Sequence, residues 1–236
     1  MGDRFIDRLS HREYNISMKN LKNALLLKHL YQLKDLGHRY TDLTIFKEDP
    51  SDLALPNTME ALKKQALNCH LCELSKSRTK VVFGEGNENA DILFVGEGPG
   101  ASEDTQGRPF VGKSGELLTK MIENVLNIPR SEVYIANIVK CRPPGNRAPT
   151  ATEAHTCRPY LFKQIELIKP KLIVTLGATA YHYLTDDTTP ISQIRGVINQ
   201  QPGYIVIPTF HPSYLLRNPS AKKEVFEDLK KVKRLM

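Results

Sequence analysis

Four short apolar runs, spaced so that helical segments fall between them, limit what this chain can fold into. They are "DILFVG" (91–96), "EVYIANIVK" (132–140), "KLIVTLG" (171–177) and "YIVIPTF" (204–210). Runs this short and this rich in Val, Ile and Leu suit strands buried on both faces. "SGELLTKMIENVLN" (114–127), "TATEAHTCRPYLFKQIELI" (150–168) and "KKEVFEDLKKVKRL" (222–235) have helical periodicity, with Pro159 set to disturb the second, and a short helix follows the third strand. Strands separated by helices predict an α/β chain.

Ahead of this alternation, residues 18–36 place Leu21, Leu25, Leu26, Leu30, Leu33 and Leu36 at helical spacing, with Gly37 as a stop. "KEDPSDLALPN" (47–57) reads as a linker. A further helix is expected from near Asn57, with Glu60 three positions on in a capping-box pattern, ending close to "CHLC". The chain of 236 residues is therefore expected to divide into a helical extension with linker, 1–58, and a main domain, 59–236. It has no internal repeat and no low-complexity tract. No apolar run approaches the roughly 18 residues needed to cross a membrane. The N-terminal "MGDRFIDRLSHREY" is charged rather than signal-like, so a cytoplasmic protein without membrane association is expected.

Residues 1–60 carry nine Lys/Arg and nine Asp/Glu, so the whole net charge of +7 falls on the body, residues 61–236. A basic body favours a polyanionic partner such as nucleic acid. A soluble basic enzyme would have the same balance, and charge alone does not separate the two.

"GRPFVGKSG" (107–115) matches G-x-x-x-x-G-K-[ST], the phosphate loop of nucleotide hydrolases. Its surroundings argue against that reading. A phosphate loop joins a buried strand directly to a helix, whereas polar "ASEDTQ" separates this one from the strand at 91–96. Pro109 offers no amide, and Phe110 is a poor lining for a phosphate cradle. "GEGPG" (96–100) follows that strand at once, where open α/β sheets place their ligands.

The four cysteines are Cys69, Cys72, Cys141 and Cys157, the first two as C-x-x-C. Four thiolates can hold tetrahedral zinc or a [4Fe–4S] cluster, and spacing alone does not choose between them. Four unrelated buried cysteines are the plain alternative; disulfides do not suit a chain without an export signal.

Together, "GEGPGASEDTQGRPFVGKSGELL" (96–118), "NIVKCRPPGNRAPT" (137–150) and "HPSYLLRNP" (211–219) resemble the family 4 uracil-DNA glycosylases, the iron–sulfur branch of their superfamily. The resemblance covers about residues 60–236, including all four cysteine positions, and says nothing of 1–58. It implies a three-layer α/β/α sandwich with a four-stranded, mainly parallel sheet. It further implies hydrolysis of the bond between uracil and deoxyribose in DNA, by a monomer, with a [4Fe–4S] cluster held by Cys69, Cys72, Cys141 and Cys157.

The resemblance also assigns roles. Phe110 stacks on the flipped uracil and Asn137 reads its edge. His211 donates to O2 as charge builds, and the backbone of Glu97, Gly98 and Pro99 lies against the base. Other branches have "GQDP", whose Asp orients the attacking water; that position is Gly98 here, so water activation is left open, with Glu97 the catalytic candidate. Glu103 is a candidate to crowd C5 and exclude the methyl of thymine. Lys113 and Ser114 would meet a DNA phosphate, and Leu215 or Leu216, with Arg217 nearby, would fill the gap left by the flipped base unless both leucines pack under the loop. A non-catalytic nucleic-acid-binding module of the same fold is the competing reading.

Overall fold

The computed structural model describes residues 55–236. The expected helix at 18–36 and most of the linker lie outside the described residues. The sheet has six strands in the order β1-β3-β2-β4-β6-β5: β1 (Glu85–Gly86), β2 (Ile92–Gly96), β3 (Tyr134–Asn137), β4 (Leu172–Leu176), β5 (Asn199–Gln201) and β6 (Tyr204–Thr209). The expected four-stranded parallel sheet is its centre, since β3, β2, β4 and β6 pair in parallel. The two extra strands are short antiparallel edges, β1 on β3 and β5 on β6.

The apolar runs are apolar throughout because both faces are covered. Every residue of β2, β3 and β4 is buried. The two-residue period of a strand then sorts side chains into two layers. Leu93 and Val95 of β2, Tyr134 and Ala136 of β3, Ile173 of β4 and Val206 of β6 join one core. Ile92, Phe94, Ile135, Leu172, Val174, Leu176 and Ile207 join the other.

Three helices close the first layer: α1 (Met59–Leu67), α5 (Ala151–Ile168) and α6 (Ala178–Thr185). The second is closed by α4 (Lys113–Met121), which runs on into a π-helical turn at Ile122–Leu126, and by α9 (Lys222–Leu235). Four short helices lie among them: α2 (Leu74–Ser77), α3 (Ala101–Gln106), α7 (Ile191–Ile194) and α8 (Pro212–Arg217).

Two expectations about helices need correction. α1 is capped by Thr58, whose hydroxyl accepts from Ala61 N–H at 3.3 Å, so it begins one residue late for an Asn57–Glu60 box. The polar interval "ASEDTQ" is helix α3, stopped by Gly107 at φ +77°. α5 runs through Pro159 and carries a capping box that the sequence reading passed over. There Glu153 N–H donates to Thr150 Oγ1 at 3.2 Å, and Glu153 Oε2 accepts from Thr150 N–H at 2.8 Å. Arg147 grips the same carboxylate with two bonds of 2.8 Å and, as the largest influence, holds its pKa down at about 2.

Candidate active site

The chain leaves β2 toward one layer and β4 toward the other. A crevice opens where such a sheet switches direction, at the carboxyl ends of its strands. It is a cleft of about 860 Å³, and its lining includes residues 97–103 after β2, Asn137 at the end of β3, Gly177 after β4 and His211 after β6.

Phe110 lies on its wall, 7% exposed, in a left-handed conformation (φ 52°) that a bulky residue adopts only when its neighbours impose it. The neighbours are identifiable. Glu103 Oε1 accepts from the amides of Val111 at 2.9 Å and Gly112 at 3.0 Å. Arg130 donates to the carbonyl of Pro109 at 2.8 Å and to Glu85 at 3.0 Å. Arg108 grips Glu85 from the other side at 2.7 Å. A Cβ on Gly115 would lie 1.8 Å from the Phe110 carbonyl oxygen, so only glycine lets α4 pack there. This disposes of the phosphate-loop reading, because two of the amides that would cradle a nucleotide are committed to Glu103. Glu103, expected to crowd C5 of the base, lines the cleft while its carboxylate braces the loop of Phe110.

Asn137 is 1% exposed and pairs in register with Gly96 on β2. A methyl on Gly96 would sit 2.4 Å from Asn137 Oδ1 and 2.6 Å from Phe110 Cζ, so the amide and the ring meet over a gap only glycine leaves open. Among the described residues, Asn137 Oδ1 is one of two buried side-chain polar atoms without a hydrogen-bond partner, the other being Thr175 Oγ1. Leaving such an atom unpaired costs about 1–3 kcal/mol, a cost that a donor brought to it would remove. Gly98 is fixed as strictly, since a Cβ there would stand 2.7 Å from Val139 Cγ2. No carboxylate can therefore project from position 98 on this backbone.

His211 caps α8 and faces Phe110, with ring centroids 5.7 Å apart. Its Nδ1 accepts from Ser213 N–H at 3.1 Å and lies 2.8 Å from Ser213 Oγ. With Nδ1 an acceptor, the proton of a neutral ring is on Nε2. Burial, assisted by the Arg217 cation and opposed by Glu103, lowers the pKa to about 4, so the ring is neutral near pH 7. A Cβ on Gly177, at φ +92°, would lie 3.2 Å from His211 Cβ. "HPS" carried a signal for Ser213, a hydroxyl two residues after an N-capping histidine; the Gly96–Asn137 register had none.

Sequence comparison settles the kinship of a chain with this arrangement. Residues 83–230 match the uracil DNA glycosylase superfamily. A type-4 uracil-DNA glycosylase from Thermotoga maritima is 50% identical over 179 residues, 74% of this chain and 93% of the relative. Another from Sulfurisphaera tokodaii is 43% identical over 187 residues, 76% of this chain and 85% of the relative. A type-5 enzyme from Pyrobaculum aerophilum is 30% identical over 55% of this chain and 64% of its own length. The chain belongs to the type-4 uracil-DNA glycosylases.

This type-4 chain presents two arms at the cleft rim. Lys113 and Ser114, in the first turn of α4, line it, Lys113 exposed. α8, which packs against α4, contributes Tyr214 and Arg217 to the lining. The two leucines of α8 part company. Leu215 is 1% exposed and packs in the second core layer, so it is not the wedge the sequence left open. Leu216 is 44% exposed.

The cysteines share a second, nearly closed pocket, so they are not four unrelated buried residues. Cys69 and Cys72 come from the turn between α1 and α2, Cys141 from the segment after β3 and Cys157 from α5, with Arg78, Lys140 and Tyr160 beside them. All four are free thiols. Arg78 donates to Cys141 Sγ at 3.3 Å and Lys140 N–H to Cys157 Sγ at 3.2 Å. Burial pushes Cys157 up to about 12, against the pull of the Lys140 ammonium, and raises Cys72 and Cys141. Among the described residues, no three His, Cys, Asp or Glu side chains form a group that could hold a single metal ion. Lys140, 2% exposed, also donates from Nζ to the Asn137 carbonyl at 2.9 Å and to Gln164 Oε1 at 2.6 Å, linking this pocket to the cleft.

Proposed function

We infer that the protein excises uracil from DNA, hydrolysing the N-glycosidic bond of deoxyuridine to leave free uracil and an abasic site. The observation that carries this reading is the buried, unpartnered Asn137 amide beside Phe110 and a neutral His211. A base inside a duplex cannot reach such a pocket, so the nucleotide must be flipped out, at a cost of a few kcal/mol. Stacking on Phe110 returns about 1–3 kcal/mol. The Asn137 amide offers one donor and one acceptor to O4 and N3–H of uracil; cytosine presents the reverse pattern and is refused. As the C1′–N1 bond breaks, its electron pair moves onto the base and charge gathers on O2. His211 donates Nε2–H to that oxygen, a preorganised donor of the kind that contributes about 3–4 kcal/mol in a dry site. The base then leaves as an anion, water adds to the electron-poor C1′, and the proton that water gives up neutralises the released uracil.

Glu97 and Glu103 are the two carboxylates lining the cleft, and Glu103 braces the Phe110 loop. Glu97 is therefore assigned to orient the water, with the Gly98 and Pro99 backbone against the base. Lys113 and Ser114 bind a phosphate of the DNA. Leu216 fills the place of the flipped base, with Arg217 beside it.

The four cysteines are assigned to a [4Fe–4S] cluster. Four thiols gathered in one pocket supply the ligands such a cluster takes, and the Lys140 ammonium and Arg78 balance the charge of the thiolates. The cluster would tie α1, the segment after β3 and α5 together. Residues 59–236 form the catalytic domain and act as a cytoplasmic monomer. Among the described residues, no helix is long and apolar enough to cross a membrane.

The test is release of labelled base from single- and double-stranded oligonucleotides containing U, T or C. Release of uracil alone supports the reading. Binding of DNA without release of any base would return the competing one, a non-catalytic module.

A further inference from the structure

The cleft is wider than one base needs, and α8 runs along it. His211, the N-cap of α8, and Tyr214 and Arg217, within it, all line the cleft. His211 is the most buried of the three and Arg217 is exposed. Tyr214, between them, is 38% exposed. Its ring rests on Phe210, with centroids 4.8 Å apart and planes tilted by 36°, and the Arg195 guanidinium lies 5.6 Å from the Phe210 ring centroid. The aromatic pair is thus backed by a cation and presents part of one ring to the cleft. A strand whose base is held beside His211 carries its neighbouring nucleotide along the same lining, past Tyr214 toward Arg217.

We propose that Tyr214 is a second stacking platform, which takes the base adjacent to the flipped uracil and makes the enzyme sensitive to the flanking nucleotide. The ligand class is a nucleobase in an unpaired or unstacked stretch of the same DNA strand. The proposal rests on the uracil-excision reading for its register but not for its chemistry, since every base has a face to stack.

The test uses the full chain and short single-stranded oligonucleotides holding one uracil. On each side of it in turn the neighbour is adenine, thymine or an abasic tetrahydrofuran residue. Binding is read by fluorescence anisotropy and uracil release by single-turnover kinetics. For the unaltered enzyme, the abasic neighbour on one side should weaken binding by about fivefold to a hundredfold, the loss of one base–aromatic stack, with adenine better than thymine. Tyr214→Leu keeps an apolar side chain on Phe210 but has no flat face; it should lose this dependence, while Tyr214→Phe should retain it. Tyr214→Leu remaining as sensitive to the neighbour as the unaltered enzyme would overturn the proposal. So would Tyr214→Phe behaving like Tyr214→Leu, which would point to the hydroxyl instead. If no uracil is released from any oligonucleotide, the excision reading fails, and anisotropy still decides whether Tyr214 stacks a base.

Discussion

The cleft and the cysteine pocket begin four residues apart, at Asn137 and Cys141, yet they are built on opposite plans. The cleft is assembled from strand ends, and its tolerances are set by backbone that approaches side chains closely: Gly96 under Asn137 and Phe110, Gly98 against Val139, Gly177 against His211. The cysteine pocket draws its thiols from a turn, a loop and a helix, and depends on buried charge, with Lys140 and Arg78 facing sulfurs whose pKa burial has raised. Damage to the first should stop chemistry in a protein that stays folded. Damage to the second should loosen the fold before it touches chemistry. Lys140 bonds into both, its backbone N–H to Cys157 Sγ and its ammonium to the Asn137 carbonyl.

Gly96→Ala should give the largest effect on the cleft side. The added methyl would meet the Asn137 amide and the Phe110 ring together, so the base is displaced from both. We expect single-turnover uracil release to fall about a thousandfold, the upper range for losing one well-placed transition-state contact, with the thermal transition lowered by only a few degrees. Near-normal activity would break the comparison, because the cleft would then not depend on glycine clearance. Asn137→Ala follows, with about a hundredfold loss in rate and weaker selection of uracil. Asn137→Asp should move the preference toward cytosine, since a carboxylate accepts from the N4 amino group.

On the other side, Cys157→Ala should remove most of the iron and the absorbance near 400 nm expected of a [4Fe–4S] protein. Its thermal transition should fall far more than that of Gly96→Ala, while any fraction that stays folded still releases uracil. An anaerobically purified protein with stoichiometric zinc and no iron would reverse the assignment of the cluster. The leucines of α8 sharpen the same contrast at smaller scale. Leu215→Ala removes a core side chain and should cost about 2–5 kcal/mol of stability. Leu216→Ala should leave stability within about 0.5 kcal/mol and weaken duplex binding instead. The smallest effect is at the rim, where Lys113→Ala should reduce the slope of log affinity against log salt by about one unit. An unchanged slope would take Lys113 off the DNA surface.

What could be read from the sequence follows from where each signal resides. The four buried strands and the long helices of the main domain are written in local periodicity, and among the described residues they appear within a few residues of their expected ends. α3, β1 and β5 are short and polar, so no apolar pattern announces them; α3 is held in place by contacts such as Glu103 with Val111 and Asp104 with Thr79. Phe110, Asn137 and His211 stood out by resemblance, and the fold brings them together. Their surroundings were not legible. The Gly96–Asn137 pairing is a matter of sheet register, and the burial of Leu215 beside exposed Leu216 depends on which face α8 turns to the core.

The central claim is that a desolvated, neutral His211 stabilises the leaving base. The most direct test is the single-turnover rate of uracil release from pH 5 to 8, measured side by side for the unaltered enzyme and His211→Ala. With the His211 pKa lowered to about 4, the imidazole stays neutral across this range. The unaltered rate should then show no inflection near the ordinary histidine value of about 6.5. The variant should be slower by about a hundredfold or more at every pH, with little change in DNA affinity. A rate that titrates near 6.5, or a variant that cleaves as fast as the unaltered enzyme, would contradict the claim and move the leaving-group role to another residue.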